Sequence, residues 1–278
     1  MSTVVNTNTG SIATQHALVI SQRSMDKSMA ALSTGQRINS AADDAAGLAI
    51  SNKMTAQIRS LDVAVRNAND GISMLQTADG ATDQMQTMLF RMRELAIQSA
   101  NDTNNQDGRD ALQKEFAGLQ EQLGNSISNT SWNGMKLLDG EAGTSGTVNF
   151  QVGANSADSV ALPLATLNSS DVKTVMTGSA DISSQASSKT SIGLIDKAIQ
   201  QIDGERSKWG AMMNRLTYAS DNAANISMNT SASRSRIQDT DYAQATAELA
   251  RSMILNEAGS AMLSQANQQP YYVLALLR

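Results

Sequence analysis

The sequence predicts a mainly α protein, a long antiparallel coiled-coil helical bundle that carries one small β-hairpin region. Three observations point there. Aromatic residues make up 3% of the 278 residues, methionine numbers 15, proline only 2 and cysteine is absent; the apolar complement is thus mostly side chains that lose little rotamer freedom in a helix. Apolar residues also recur at alternating steps of four and three, the seam of a coiled coil. Finally, composition divides the chain: it is helix-like over 11–129 and 191–269 and rich in Gly, Ser, Thr and Asn over 130–190.

From the N-terminus, Leu18, Met25, Met29 and Leu32 mark one narrow helical stripe that needs a partner. A break at 33–39 follows. Ser40 and Asp43 then form an S-x-x-D start signal, with Asp43 and Asp44 suited to the positive end of a new helix. Met54, Ile58, Leu61, Val65, Ala68, Ile72 and Leu75 form a seam that slips by one residue near Gly80 and resumes as Ala78, Met85, Leu89, Met92 and Ala96. One helix over about 43–100 is on the order of 85 Å long at 1.5 Å per residue. The glycines at 47, 71 and 80 each cost such a helix about 1 kcal/mol relative to Ala, either as faults or as places where another backbone comes close.

Asn101 to Gly108 turns the chain back, and Leu112, Phe116, Leu119, Leu123 and Ile127 stripe a shorter helix. In the middle region, Asn133-Gly134 and Asp139-Gly140 are hairpin-type turns, and Val148, Phe150 and Val152 alternate as a half-buried strand does. Residues 168–191 read as a surface loop or linker. The last third repeats the helical logic with Ile192, Ile195, Ile199, Ile202, Trp209, Met213, Leu216 and Ala223, interrupted by Arg206. Asp239 to Asp241 then opens a final helix with a broad stripe that includes Tyr242, Leu249, Ala250, Met253, Ile254 and Ala261. Pro270, lacking a backbone donor, should kink or stop it.

The same inventory excludes several functions. A net charge of −5 offers no basic face for nucleic acid. The longest apolar run, Tyr271 to Leu277, falls far short of the roughly 20 residues a membrane span needs, and Met1 to Gly10 shows no cleavable secretory signal. With one histidine, His16, and no cysteine, no catalytic residue, cofactor or metal site is expected. A calcium-like loop at Asp102 has Asp107 in place of the turn glycine and Gln113 in place of the bidentate acid, so it reads as a turn between helices. The heptad spacing of the methionines makes them packing residues.

Several blocks resemble the bacterial flagellin family: LSTGQRINSAADDAAGLAI (Leu32 to Ile50), RNANDGIS (Arg66 to Ser73), RELAIQSAN (Arg93 to Asn101), NAANI (Asn222 to Ile226), RSRIQDTDYA (Arg234 to Ala243), LSQANQ (Leu263 to Gln268) and the closing Leu276-Leu277-Arg278. Departures are modest: Gln238 and Thr240 stand where the family often has an acidic residue and Ala, and Tyr271-Tyr272 replaces a more polar pair. The resemblance implies a subunit that polymerises into the flagellar filament. Its terminal helices would pair there as a coiled coil, with residues 1–42 and 240–278 as the two halves of an inner domain and 43–239, including the hairpin region at about 130–190, as a helical outer-core domain. Outer variable domains are not expected.

On this reading Leu18, Met25, Met29, Leu32, Leu249, Met253 and Ile254 pack the filament core. Arg91, Leu95 and Glu115 make protofilament contacts or meet a host innate immune receptor. The implied partners are other copies of the chain, an export chaperone over the stripe at Leu249, Met253 and Ile254, and filament cap and hook-junction proteins. The implied location is the extracellular filament, reached by flagellar type III export. A hook-filament junction protein and a cytoplasmic coiled-coil scaffold are the alternatives.

Overall fold

A computed structural model describes residues 7–144, 146–164, 167 and 171–276, with side chains as far as Gln268. Among the described residues six α-helices run α1 (Thr9–Thr34), α2 (Ala45–Ser99), α3 (Gln106–Asn129), α4 (Asp171–Met176), α5 (Gln185–Gln238) and α6 (Tyr242–Leu276). Between α3 and α4 lie two antiparallel hairpins, β1 (Ser131–Trp132) with β2 (Met135–Lys136) and β3 (Thr147–Gln151) with β4 (Ser159–Pro163). The chain forms two compact units, Met1–Ala56 with Asn229–Arg278, and Gln57–Met228. The helices break at 35–44 and at 239–241, whereas compactness divides inside α2 and α5.

The larger unit, Gln57–Met228, holds the main core. Along α2 a buried seam runs through Leu61, Ala64, Ala68, Gly71, Leu75, Ala78, Thr82, Met85, Leu89, Met92, Ala96 and Ser99 in steps of three and four without a break, with Met74 and Leu95 buried beside it. The expected slip near Gly80 is therefore absent. The seam passes through Ala64, Gly71 and Thr82, which carry no strong apolar signal, and the larger Val65 and Ile72 beside them are only half buried. Gly71 belongs to that seam because its neighbours are close: a Cβ there would lie 3.0 Å from Leu216 Cδ1 and 3.4 Å from Phe150 Cδ1. Gly47 is likewise crowded, by Asp44 and Ile38, whereas a Cβ at Gly80 meets nothing within 4 Å.

Opposite α2, helix α5 buries Ile195, Ile202, Trp209, Leu216 and Ala223 at strict heptad spacing. Arg206, the interruption in that stripe, turns aside to hydrogen-bond Asp79 at 2.7 Å and Asp83 at 3.1 Å, with Gln86 at 2.8 Å. Those acidic partners, Asp79 first, raise its already high pKa. Phe116, Leu123 and Ile127 of α3 close the core.

The reading of 168–191 as a surface loop is wrong. Val172, Val175, Ala180 and Ile182 are buried, and α4 and the start of α5 lie within the segment. Polar side chains hold it in place. Buried Gln120 donates to the carbonyls of Val175 (2.6 Å) and Ala180 (2.9 Å), Ser99 donates to Ile182 O (2.5 Å), and Gln113 accepts from the Ile182 N–H (2.8 Å). Ser184 and Ser187 cap α5 reciprocally, each hydroxyl accepting the other's backbone N–H. This capping starts the helix at Gln185, before the stripe at Ile192 begins.

In the hairpin region, Asn133 and Gly134 take positive φ values of 50° and 79°, as a two-residue turn of this hand requires. Asp139-Gly140, the other expected hairpin turn, connects neither β1 to β2 nor β3 to β4. Asp139 instead accepts from Glu141 N at 3.1 Å, and Gly140 has φ 87°.

In the smaller unit, α2 begins with Asp44, whose carboxylate accepts from Gly47 N at 2.8 Å. Asp43 instead reaches back to the Ser40 N–H and hydroxyl, both at 3.0 Å, and so fastens the preceding loop. Asp241 caps α6 through the Ala243 N–H. Helix α6 does not stop at Pro270 but runs to Leu276. Pro270 has no N–H to offer to Ala266, four residues back, and that freed carbonyl accepts from Asn8 Nδ2 at 2.7 Å. The same Asn8 side chain accepts from Ser11 N at 3.0 Å and caps α1.

Candidate assembly surface

Helices α1 and α6 run antiparallel, from Asn8 beside Ala266 to Gln36 bridged with Asp239. Their facing positions alternate by three and four: Ser11, Thr14, Leu18, Ser21, Met25, Ser28 and Leu32 on α1, and Ala245, Leu249, Ser252, Asn256, Gly259, Leu263 and Ala266 on α6. Only five of these fourteen bring a large apolar side chain to the seam. The rest is small or polar, zipped by hydrogen bonds such as Ser11 Oγ to Asn267 Oδ1 (2.8 Å), Ser21 Oγ to Ser252 O (3.1 Å) and Asn256 Nδ2 to Gln22 Oε1 (2.8 Å). Such bonds set register but add little net stability, about 1 kcal/mol each. Small residues let the helices approach closely: a Cβ at Gly259 would fall 2.8 Å from Leu18 Cδ2.

Most of the other large apolar residues of this pair face outward. Met29 is 51% exposed, Met253 54% and Ile254 67%, alongside exposed Ile12, Ile20, Leu255 and Met262. Ala13, Leu18, Ile20, Leu255, Ala258 and Met262 also line a groove of about 790 Å³ along the pair. The seven expected packing residues thus divide. Leu18, Met25, Leu32 and Leu249 meet within the chain, whereas Met29, Met253 and Ile254 point away from that seam. Ile12, Ile20, Leu255 and Met262 escaped the sequence reading; the signal for them is an apolar residue out of phase with its own seam.

At the end of the pair, Gly35 takes φ 71° and closes α1. The linker after it is stitched to the entry of α6: Thr240 N donates to Gly35 O (3.0 Å), Arg37 N to Gln238 O (2.7 Å) and Arg37 Nη2 to Ile237 O (2.6 Å). Asp43 also pairs with Lys27 at 3.2 Å. Hydrogen bonds from Ser40, then Lys27, hold its carboxyl below the usual range. The folded pKa being depressed, its contribution is present above the ordinary carboxylate range and is lost as pH falls through the lowered value.

In the larger unit, Arg91 donates from Nε and Nη2 to Glu115 Oε1 (2.9 and 2.8 Å) and from Nη1 to Glu94 (3.1 Å). Glu115 is the main cause of its raised pKa. All three side chains are about half exposed or more, so the pairs are worth little to stability. Leu95 is not part of this surface: at 1% exposure it lies in the core. Among the described residues, no His, Cys, Asp and Glu cluster could hold a metal ion, and no helix is long and apolar enough to cross a membrane.

Residues 5–143 match the bacterial flagellin N-terminal helical region, and residues 192–277 match the bacterial flagellin C-terminal helical region. A flagellin of Halalkalibacterium halodurans is 45% identical over 275 residues, covering 99% of this chain and all of the relative. Flagellin A of Vibrio cholerae is 32% identical over 378 residues, covering 99% of each. Among solved structures, Bacillus cereus flagellin aligns with a TM-score of 0.50 and 34% identity over 57% of this chain and 88% of that one. A putative flagellar hook-associated protein from Vibrio parahaemolyticus aligns with a TM-score of 0.58 over 71% of this chain and all of that one, at 13% identity, and so shares the fold.

Proposed function

Because this chain belongs to the bacterial flagellin family and is a structural subunit of the flagellar filament, we propose that α1 and α6 complete their folding only as the filament forms. The observation that carries this is the division of apolar residues between a weak inner seam and an exposed outer face. Ordering costs about 1–2 kcal/mol per residue in backbone entropy, while covered apolar surface returns roughly 25 cal/mol per Å². A seam of serine, alanine and glycine with five large apolar side chains leaves an isolated pair marginal. Neighbouring copies that cover Met29, Met253, Ile254, Ile12 and Ile20 shift the balance. In this reading residues 1–42 and 240–278 form the inner layer and 43–239 the layer around it.

Flagellins form the extracellular filament, and we assign this subunit to type III export. Before export, the exposed α6 face at Met253 and Ile254, with Leu249 beside it while the pair is open, is the surface a chaperone would cover to prevent early polymerisation. Cap and hook-junction proteins would meet the same terminal helices at the filament ends. Arg91 and Glu115 serve a contact between protofilaments. A host innate receptor approaching that patch in the folded chain would meet those two and Glu94, since Leu95 is covered.

Limited proteolysis tests the coupling. In the free chain, cleavage should concentrate in α1 and α6 and spare 61–99; after polymerisation the ends should resist as strongly as α2. Ends that resist equally in both states would overturn the coupling.

A further inference from the structure

The turn between β1 and β2 holds the one Asn-Gly sequence in the chain, Asn133-Gly134. Both residues are exposed, and a Cβ at Gly134 would meet nothing within 4 Å. The Gly134 N–H donates no hydrogen bond among the described residues. The hairpin around it is short, with only Ser131 paired to Lys136 and Trp132 to Met135. We infer that Asn133 is a site of spontaneous, enzyme-independent deamidation, the first asparagine of this chain to convert.

The chemistry needs only water. The Gly134 nitrogen, losing its proton to solvent, attacks Asn133 Cγ. A C–N bond forms, the bond to the side-chain nitrogen breaks, and ammonia leaves with a proton taken back from solvent, giving a five-membered succinimide. Water then adds to one of its two carbonyls, and ring opening yields aspartate or isoaspartate with no change of oxidation state. The attacking N–H must be free of hydrogen bonds and the approach unhindered: the Gly134 N–H meets the first condition and the absence of a Cβ the second.

Several of the other asparagines lack that freedom. After Asn39, the Ser40 N–H is held by Asp43 at 3.0 Å. Within α2 and α5, the residues after Asn67, Asn69 and Asn222 commit their N–H groups to the helix ladder.

The two products differ in consequence. Aspartate adds a negative charge but tolerates the positive φ of the turn nearly as well as asparagine. Isoaspartate inserts a methylene into the main chain, which a two-residue turn cannot absorb without losing the Trp132 to Met135 register. In a subunit that stays in place after assembly, the modified fraction therefore counts elapsed time.

The experiment is incubation of the folded full chain at mildly alkaline pH in water enriched in heavy oxygen, followed by peptide mapping that separates aspartate from isoaspartate. The expected result is conversion at Asn133 several-fold faster than at any other asparagine, with heavy oxygen incorporated and both products present. Gly134→Ala should slow it several-fold. Because Ala is strained at φ 79°, Asn133→Asp is the companion variant: it should keep the helical signal of the parent and form isoaspartate more slowly, since hydroxide leaves less readily than ammonia. A rate at Asn133 no greater than at Asn39, or isoaspartate forming as fast in Asn133→Asp as in the parent, would overturn the assignment.

Discussion

Ile254→Asp is expected to abolish polymerisation while leaving the free chain as stable as before. The side chain is 67% exposed on α6, and surface changes away from special features stay within about 0.5 kcal/mol. In the filament the same position would be covered. Burying an isoleucine contributes about 1.5–3 kcal/mol, and an unpaired carboxylate in its place adds a desolvation cost of several kcal/mol. A total near 5 kcal/mol corresponds to more than a thousandfold in an association constant, at about 1.4 kcal/mol per factor of ten.

Sedimentation of polymer against total concentration reads the effect as a rise in critical concentration beyond the accessible range. Ile254→Ala should show only the smaller part, roughly ten- to a hundredfold. Leu249→Asp is the contrast: because Leu249 faces α1, it should loosen the intramolecular pair as well. An Ile254→Asp chain that polymerises at the parent's critical concentration would remove Ile254 from the interface.

The second large effect belongs to the other unit. Trp209→Ala should destabilise Gln57–Met228 by about 3–5 kcal/mol, the usual cost of truncating a buried aromatic residue. Trp209 is 1% exposed and central in the α5 heptad. Its Nε1 is buried and has no hydrogen-bond partner among the described residues. Trp209→Phe, which removes that unsatisfied donor and keeps most of the ring volume, should therefore cost less than half as much as the alanine change. Denaturant midpoints for the two variants, followed by far-UV circular dichroism, check the ordering. Equal losses would mean that the indole makes contacts beyond packing.

Much of this architecture was legible in the sequence because the larger unit is built from strong signals. Phe116, Leu123 and Ile127 announce α3, the heptad from Ile195 to Ala223 announces the inner face of α5, and Asn133-Gly134 announces its hairpin. Weak signals failed in recognisable ways. Ala64, Gly71 and Thr82 continue the α2 seam without being hydrophobic enough to mark it, so the apolar pattern points to a phase one residue off. The segment at 168–191 is rich in serine, yet four small or branched apolar side chains and the Gln120, Gln113 and Ser99 hydrogen bonds suffice to bury its core-facing side.

The terminal helices show the opposite problem. Their strongest apolar residues share a stripe in the sequence, but Met29, Met253 and Ile254 point away from the serine-lined seam. A sequence stripe records what must be covered, not whether the chain or its neighbour covers it. At Pro270 the helix continues rather than stops: the missing hydrogen bond is real, and a side chain 262 positions earlier, Asn8, occupies the freed carbonyl, which no local rule anticipates.

The most direct test is amide hydrogen exchange, residue by residue, on the free chain and on the polymer it forms. Slow exchange in α2 over 61–99 in both states is expected from its buried seam. For α1 and α6, the expected result is exchange close to that of an unfolded chain when free and strong protection once polymerised. Protection of α1 and α6 in the free chain equal to that in the polymer would mean that the pair folds by itself, and the proposed coupling of folding to assembly would be contradicted.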